Sequence, residues 1–210
     1  GYVSGVRCMI GVSDSGIKGG SGSAMGVEKG LRSSQIIFEN KLPLIQLIES
    51  AGANLLRQTD MFIKGGRSFA NLAKMSAKGI PTIGVVHGSS TAGGAYQTGL
   101  SDYIIVVKKR SKIFLAGPPL LKASLGEIAT DEEIGGADIH FAVSGLAEYM
   151  ANDDAHAIEI ARDVMKKIGW NDDFVSTQKD DYKEPLYKTE ELIGVVPVDY
   201  KVPYDCREVI

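Results

Sequence analysis

The sequence has few of the residues that build disulfide frameworks, metal centres or collagen-like repeats. Its 210 residues include only two cysteines, three histidines and seven prolines. Cys8 and Cys206 lack the close spacing of metal ligands. So few cysteines are typical of a protein in a reduced, intracellular compartment. No apolar run approaches the roughly 18 residues that span a bilayer, and no signal peptide opens the chain. We therefore expect neither a membrane segment nor a disulfide-bonded fold.

Glycine, in contrast, is abundant. The chain contains 25 glycines, with 44% hydrophobic and 23% charged residues, the balance of an ordinary globular domain. No G-x-y repeat occurs, so the glycines do not belong to a collagen-like segment. Because each glycine costs backbone entropy in a folded protein, each needs a local reason.

Charge is unevenly distributed along the chain. Residues 1–126 contain 15 Lys/Arg and 6 Asp/Glu, whereas residues 127–191 contain 6 and 17. With a net charge of −3, the protein has no reason to bind a nucleic-acid backbone uniformly. The basic part can attract a compact polyanion such as a nucleotide or coenzyme A. Alternatively, both parts are solvated faces or meet across a subunit interface.

A strand, a loop of small residues and a helix follow one another three times. Strands are predicted at 2–12, 44–48 and 82–86, and the loops that follow them at 13–23, 49–54 and 87–94. Helices are predicted at 27–41, after residue 54 to near 79 with a break at Gly65-Gly66, and at 95–100. This alternation predicts parallel strands with helical crossovers, an α/β fold. Ligands in such sheets bind at the carboxyl ends of the strands, where the three loops lie.

The remainder of the chain is less regular. Strands are predicted at Tyr103–Val107 and Lys112–Ala116, and a last helix at 153–168 with Asn152 or Asp153 as its N-cap. After Gly117 the sequence is rich in loop residues; positions 169–190 are acidic without periodicity, and 191–210 is predicted to be an extended tail. We expect a domain at 1–168 and an acidic loop and linker at 169–210.

The segment Gly88–Tyr96 is the strongest candidate for a chemical role. Eight of its nine residues are small, and they join a buried strand to a helix start, where backbone N–H groups can bind an oxyanion. The segment 50–53 has the same position relative to its own strand and can add a second donor. The alternative for both is close helix–strand packing, which also needs small residues.

Other motifs support competing interpretations. Gly20, Gly22 and Gly26, with Glu49 as a ribose-binding acid, indicate a dinucleotide site, but their spacing departs from G-x-G-x-x-G. No G-x-S-x-G elbow occurs, and the histidines lack metal-ligand spacing. His140, in a glycine-rich loop, is either functional or a structural residue with satisfied hydrogen bonds. No residue is evident as a general base, so a reaction whose base comes from a cofactor fits best.

Motifs along the whole chain carry a family resemblance. They are Lys18–Gly20, Ser50–Ala53 with Arg57-Gln58, Ser90–Tyr96, Ile113–Ala123, Gly126-Glu127, Gly135–His140, Ser144-Gly145, Glu184–Tyr187, Val196–Asp199, Pro203–Asp205 and Arg207–Ile210. The chain resembles the carboxyltransferase (beta) subunit of biotin-dependent acyl-CoA carboxylases, in the crotonase-like superfamily. The segments at 117–120 and 135–140 are closer to the methylcrotonyl-CoA and geranyl-CoA branch than to the propionyl-CoA branch.

The resemblance implies a fold and a reaction. The fold would be a crotonase-like (ClpP/crotonase) spiral of strand–loop–helix repeats, with no metal in this chain. Carboxybiotin on a carrier protein would release CO₂, the biotin ureido nitrogen would take a proton from the acyl-CoA, and the thioester enolate would attack CO₂. The N–H groups of Gly93 and Gly94, with Gly52 or Ala53, would hold the enolate oxygen. The implied acyl-CoA contacts are Lys18, Gly19, Gly20, Ser50, Ala92, Ala95, Tyr96, Gly117, Pro118 and Lys122.

The resemblance also implies partners. They are a biotin carboxylase and biotin-carrier subunit, an acyl-CoA substrate, and further copies of the chain in a hexamer, with neither nucleic acid nor membrane. In this family the N-terminal half forms most of the CoA site, and the C-terminal half of a neighbouring subunit forms most of the biotin site. The compartment would be the bacterial cytoplasm or the mitochondrial matrix.

Two departures and three alternatives remain at this point. The family has Ser-Gly-Gly-Ala where this chain has Ser50-Ala51-Gly52-Ala53, and the added methyl would narrow the CoA groove or change the acyl preference. A family subunit is about twice as long, so we expect a fragment that is inactive by itself. The alternatives are a biotin-dependent acyl-CoA decarboxylase alpha subunit, a crotonase-type hydratase or isomerase, which needs a carboxylate base, and a catalytically silent subunit.

Overall fold

The computed structural model describes residues 1–54, 58–170, 187–199 and 201–209. The chain divides into a larger unit, Gly1–Asp172, and a smaller unit, Asp173–Ile210. Parts of the motifs that carry the family resemblance, Arg57, Glu184–Leu186 and Ile210, lie outside the described residues.

A six-stranded parallel sheet forms the centre of the larger unit. Its strands are β3 (Met9–Val12), β4 (Leu44–Ser50), β5 (Thr82–Thr91), β6 (Tyr103–Val107), β7 (Lys112–Phe114) and β8 (Tyr149–Ala151). The order is β3-β4-β5-β6-β8, and β7 pairs with β5 alone among the described strands. The predicted α/β class with parallel strands is confirmed.

The first predicted strand is wrong in its extent. Instead of one strand over 2–12, β1 (Tyr2–Val3) and β2 (Val6–Arg7) form an antiparallel hairpin before β3 begins. Ser4 and Gly5 turn the chain with φ angles of 50° and 83°, the left-handed backbone that two-residue hairpin turns require.

β5 extends further than predicted. The sequence predicts that it ends at Val86 and that a loop follows, but the strand continues to Thr91. Its first half pairs with β6, and its second half pairs with β7 through Ser89–Thr91. The small residues of this segment therefore lie in a paired strand, because β7 supplies hydrogen bonds that local sequence cannot reveal.

Two helices cover one face of the sheet. α1 spans Ala24–Asn40, beginning three residues earlier than predicted because the Ser23 side chain accepts a hydrogen bond from the Gly26 N–H. α2 spans Gln58–Ala77 without the predicted break. Gly65 and Gly66 face open space, so their entropic cost is outweighed by burial of side chains such as Met61 and Leu72.

The chain after Gly117 is more regular than predicted. α3 (Gly93–Gly99) precedes β6, and beyond β7 the chain forms α4 (Pro118–Leu125), α5 (Asp131–Gly135), a π-helix (Ile139–Val143), β8 and α6 (Asp154–Ile168). The two prolines of α4 occupy its first turn, where a missing N–H costs nothing. Asp153 caps α6 through the His156 N–H, which decides between the two predicted caps.

Buried side chains on both faces hold the sheet. On one face α6 contributes Ala161, Val164 and Met165, packed against sheet residues such as Ile83 and Val107. On the other, α1 and α2 enclose Ile37, Leu72 and Met75, and a third cluster packs Ala95 of α3 with Ile48 and Val86. The carboxyl ends of β4 and β5 are thereby fixed against α3.

The smaller unit contains short helical turns. α7 (Leu192–Val195) follows a 3₁₀ turn at Thr189–Glu191, and another turn spans Cys206–Glu208. The predicted extended tail is therefore partly helical in its described residues. No helix in the described ranges is long and apolar enough to cross a membrane.

Candidate functional site

The ends of β4 and β5 meet at the start of α3. Ser50 and Ser90 are opposite each other in the sheet, and both face Gly94. A Cβ on Gly94 would lie 3.2 Å from the Ser50 Cβ and 3.1 Å from the Ser90 Oγ. A side chain at 94 would therefore have to push one of the two serines aside.

The turn into α3 contains two backbone donors that have no acceptor among the described residues. Ala92, its N-cap, has the uncommon angles φ 52° and ψ −110°, and its N–H donates to the Phe114 carbonyl at 3.1 Å. The N–H groups of Ala95 and Tyr96 donate to the Ala92 carbonyl. Gly93 and Gly94 donate to no acceptor in the described part of the chain. Two adjacent free N–H groups are the arrangement that an oxyanion requires.

The 50–53 loop lies beside this turn. A Cβ on Gly52, whose φ is 93°, would lie 3.3 Å from the Ala92 Cβ. The Gly52 N–H donates to the Ser50 Oγ at 3.1 Å. The Ala53 N–H, in contrast, has no acceptor among the residues described. Of the two predicted donors in this loop, Ala53 is therefore the one with an N–H still available.

Lys18, Gly19 and Gly20 form a 3₁₀ turn against the same loop. All three have positive φ, and the Ala51 N–H donates to the Gly19 carbonyl at 2.9 Å. A Cβ on Gly20 would lie 2.2 Å from the Glu49 carbonyl oxygen, so no other residue fits there. The Ala51 methyl, this chain's departure from the family pattern, lies 3.3 Å from the Cβ position of Gly19. Three of the predicted loops thus form one surface.

The remaining predicted acyl-CoA contacts differ in their exposure and in whether they adjoin the three loops. Tyr96 is half exposed and packs against Phe69 in a tilted arrangement, with 5.7 Å between the ring centroids and 51° between the ring planes. Ala95 is buried in the core, where its side chain packs α3 against the sheet and is not exposed to a ligand. Gly117 and Pro118 adjoin the site through the Phe114 ring, which lies 3.4 Å from the Cβ position of Gly117. Lys122 is exposed on α4 and its side chain bonds to none of the described loop residues.

Comparison with known proteins identifies the family. The family described as "Carboxyl transferase domain" matches residues 1–210. The chain belongs to this family. The carboxyl transferase domain is 49% identical over 210 residues to the probable biotin-dependent acyl-coenzyme A carboxylase beta2 subunit of Mycobacterium tuberculosis, with 100% of the chain and 39% of the relative covered. It is 48% identical over 213 residues to the mitochondrial methylcrotonoyl-CoA carboxylase beta chain of Dictyostelium discoideum, covering 100% and 36%.

A solved structure agrees in fold. The domain matches the beta subunit of P. aeruginosa geranyl-CoA carboxylase with a TM-score of 0.77 and 53% identity, over 100% of this chain and 39% of that one. The crotonase-like fold and the resemblance to the methylcrotonyl-CoA and geranyl-CoA branch are confirmed. The dinucleotide interpretation is not supported, because the family that matches the whole chain is the carboxyl transferase domain. The chain spans less than two fifths of the length of these relatives.

Sequence analysis did not predict the contacts that Glu49, His87 and Thr98 make beside these loops. The Glu49 side chain covers Gly88, where a Cβ would lie 2.2 Å from its Oε1, and its Oε2 lies 3.8 Å from His87 Nδ1. The buried hydroxyls of Ser90 and Thr98 are 3.0 Å apart and tie α3 to β5. The small residue at 88 was visible in the sequence, whereas these pairings arise only from the register of the sheet.

Cavity volume does not locate the site in this domain. A cavity of about 480 Å³ lies between the β1–β2 hairpin and the end of α6, lined by Tyr2, Arg7 and Trp170. Another of about 510 Å³ lies between the starts of α1 and α2, lined by Met25 and Ile63. None of the predicted site residues lines either one. The convergent backbone of the three loops identifies the site better than the volume of these surface cavities.

Charged groups contribute little to the site itself. No group of three potential metal ligands occurs within the described ranges. Hydrogen bonds from the Thr130 N–H and hydroxyl lower the pKa of Glu133, at the cap of α5. Burial raises the pKa of the Cys8 thiol, in the core beneath β3. Both pKa shifts concern residues outside the three loops.

Proposed function

We propose that this chain is the part of a biotin-dependent acyl-CoA carboxylase beta subunit that binds the acyl-CoA thioester and stabilises its enolate. One observation carries the proposal: the N–H groups of Gly93 and Gly94 have no acceptor among the described residues and adjoin the glycine-lined contact between α3 and Ser50. Family membership makes carboxyl transfer the reaction to which these donors are assigned.

The two N–H groups act on the thioester oxygen. When the carbon next to the thioester carbonyl loses a proton, negative charge moves to this oxygen, and donors already in place stabilise it without reorganisation. Removing one such donor typically costs about 2.7–4 kcal/mol of transition-state stabilisation. The Ala53 N–H is the further candidate, because the Gly52 N–H is bonded to the Ser50 Oγ.

The surrounding residues position the acyl-CoA. The Lys18–Gly20 turn and Ala51 border the loop from one side. The Tyr96 ring, exposed beside Gly93, provides an apolar wall for the acyl chain, and Gly117 and Pro118 continue the surface past Phe114. We expect the CoA phosphates to bind to basic residues of the segment 1–126.

A biotin group on a carrier protein supplies the CO₂ and the base. The described residues of this chain fit a CoA thioester. The space at Gly94 that a Cβ would fill lies beside the N–H groups of Gly93 and Gly94, which have no acceptor among those residues. We assign none of them to biotin, which we propose is bound mainly by the other half of a neighbouring subunit in a hexamer. We also propose a branched-chain acyl-CoA of the methylcrotonyl or geranyl type, in the bacterial cytoplasm or mitochondrial matrix, supported by the names of the relatives.

The test uses the full-length subunit with its biotinylated partner. We expect ATP-dependent incorporation of labelled bicarbonate into a methylcrotonyl- or geranyl-type acyl-CoA. Incorporation that needs neither ATP nor the biotinylated partner would contradict the proposal. CO₂ release from a malonyl-type CoA without any ATP-dependent fixation would instead establish the decarboxylase alternative, and binding of acyl-CoA without turnover would indicate a silent subunit.

A further inference from the structure

His140 bonds to the strand that fixes Ala92. Its Nε2 lies 2.8 Å from the Ile113 carbonyl oxygen, and its Nδ1 lies 3.1 Å from the Ser144 Oγ. Because a carbonyl oxygen only accepts, Nε2 carries the hydrogen. Nδ1 pairs with the Ser144 hydroxyl on the other edge of the ring. Both ring nitrogens are thus used, and the ring orientation is fixed.

The hydrogen bond from His140 completes an unpaired strand edge. β7 has three residues and pairs with β5 on one side only, as far as the described strands show. Successive carbonyls of a strand point to opposite sides. The Phe114 carbonyl faces β5, where it accepts from the Ala92 N–H, so the Ile113 carbonyl faces away. His140 provides there the bond that a further strand would have made.

The same edge is held at two further points. Lys112 forms an ion pair with Glu132, and Gly136 forms an isolated bridge with Lys112. A Cβ on Gly135 would lie 2.3 Å from the Ile113 carbonyl oxygen, so a glycine is needed for the segment to approach. The segment from 132 to 140 therefore lies against the outer edge of β7, and His140 provides a side-chain donor to it.

The backbone around His140 has an uncommon form. Ile139–Val143 is a π-helix, and the Ser144 N–H donates to the Ile139 carbonyl at 2.9 Å. π-Helical turns are rare and occur frequently at functional sites. Here the turn carries both His140 and Ser144.

We propose that His140 is a positioning residue for the oxyanion donors: it holds β7 in register, and β7 holds Ala92 in the turn that orients the N–H groups of Gly93 and Gly94. His140 does not contact the thioester. Ala92 has a strained φ of 52°, so it depends on the hydrogen bond to Phe114 to keep that conformation. The catalytic consequence of this inference rests on the proposed function, whereas the structural link does not.

The test compares His140→Leu with His140→Gln in the full-length subunit and its biotinylated partner. Glutamine can place an N–H near the position of Nε2, and leucine cannot. We expect His140→Leu to lower kcat roughly 10- to 100-fold with KM for acyl-CoA within about twofold, because small misplacements of catalytic groups have effects of this size. His140→Gln should restore kcat to within about threefold of the wild type. Equal losses in both variants, or a normal kcat in His140→Leu, would overturn the proposal.

Amide hydrogen exchange gives a readout independent of activity. The Ala92 N–H should exchange at least about tenfold faster in His140→Leu than in the wild type, and at nearly the wild-type rate in His140→Gln. Unchanged exchange in His140→Leu would refute the link even if the protein has no carboxylase activity. If His140→Leu fails to assemble, His140→Asn, whose amide is too short to reach, should replace it, and equal exchange and kcat for Asn and Gln would refute the proposal.

His156→Leu is the matched control. His156 is also half-buried, and its Nδ1 accepts a backbone hydrogen bond from the Asn152 N–H at 3.1 Å, at the start of α6. The substitution removes one histidine–backbone bond without touching β7. We expect Ala92 exchange and kcat within twofold of the wild type. A loss equal to that of His140→Leu would show that any such bond matters, which would remove the specific role of His140.

Discussion

The side chain of Ser50 contacts the backbone of Gly94, so that a Cβ on the glycine would lie 3.2 Å from the Ser50 Cβ. The two residues belong to different strand–loop–helix repeats and are 44 positions apart in the chain. Their contact brings the loop after β4 against the start of α3, beside the N–H groups of Gly93 and Gly94, which have no acceptor in the described ranges. It is this contact, and not a cavity or a charged cluster, that defines the candidate site.

Gly52→Ala should impair the site more than a comparable glycine elsewhere. Gly52 has a φ of 93°, and a methyl group there would press on the Ala92 Cβ at 3.3 Å. Gly79 also has a positive φ, 68°, but faces open space. Both substitutions carry the backbone cost, roughly 1–2 kcal/mol. We expect kcat for carboxyl transfer to fall in Gly52→Ala and to stay near wild type in Gly79→Ala, measured with the full-length enzyme; equal kcat values would argue against the contact.

The buried hydroxyls of Ser90 and Thr98 should be energetically coupled. They lie 3.0 Å apart, and neither residue is exposed. Loss of either partner leaves a buried hydroxyl without its bond, whereas loss of both removes the mismatch. A double-mutant cycle with Ser90→Ala and Thr98→Val should give a coupling of about 0.5–1.5 kcal/mol in the free energy of unfolding. Strictly additive effects would show that the pair contributes nothing to the position of α3.

The cap of α5 should weaken in acid. Hydrogen bonds from Thr130 lower the pKa of Glu133 in the folded state. Folding therefore stabilises the ionised carboxylate relative to the protonated form. The contribution is therefore complete above the ordinary glutamate pKa of about 4.3 and is lost as pH falls through the lower, folded value. Amide exchange at residues 131–135, corrected for intrinsic rates, should accelerate over this range. Glu133→Gln should abolish that pH dependence, and an identical dependence in both proteins would refute it.

The sequence contained the information for the repeat and for the chemical character of the loops. Apolar runs at 44–48 and 82–86 identified β4 and β5, and the small residues after them identified the surface where the loops meet. These features are local: burial and glycine tolerance depend on composition over a few residues.

The pairing of strands that are far apart in the chain could not be predicted from the sequence alone. Residues 87–91 are predicted as a loop but belong to β5, and β7 pairs with Ser89–Thr91 from more than 20 positions away. The Gly52 N–H was an oxyanion candidate until the geometry placed the Ser50 Oγ on it. Likewise, the choice for His140 between a functional and a structural role depends on which carbonyl it meets, and only the fold supplies that carbonyl.

The central claim is that the start of α3, held close to Ser50, stabilises the enolate oxygen. Gly94→Val tests it, because the side chain would collide with Ser50 and Ser90 and displace the N–H groups. Gly99→Val is the matched control in the same helix: Gly99 is exposed, and a Cβ there meets nothing within 4 Å.

The decisive measurement is carboxyl transfer from the carboxylated partner to acyl-CoA by each full-length variant, with biotin carboxylation measured separately. We predict that Gly94→Val abolishes transfer while biotin carboxylation and subunit assembly persist, and that Gly99→Val transfers at a rate within about twofold of the wild type. Normal turnover by a folded, assembled Gly94→Val enzyme would contradict the account.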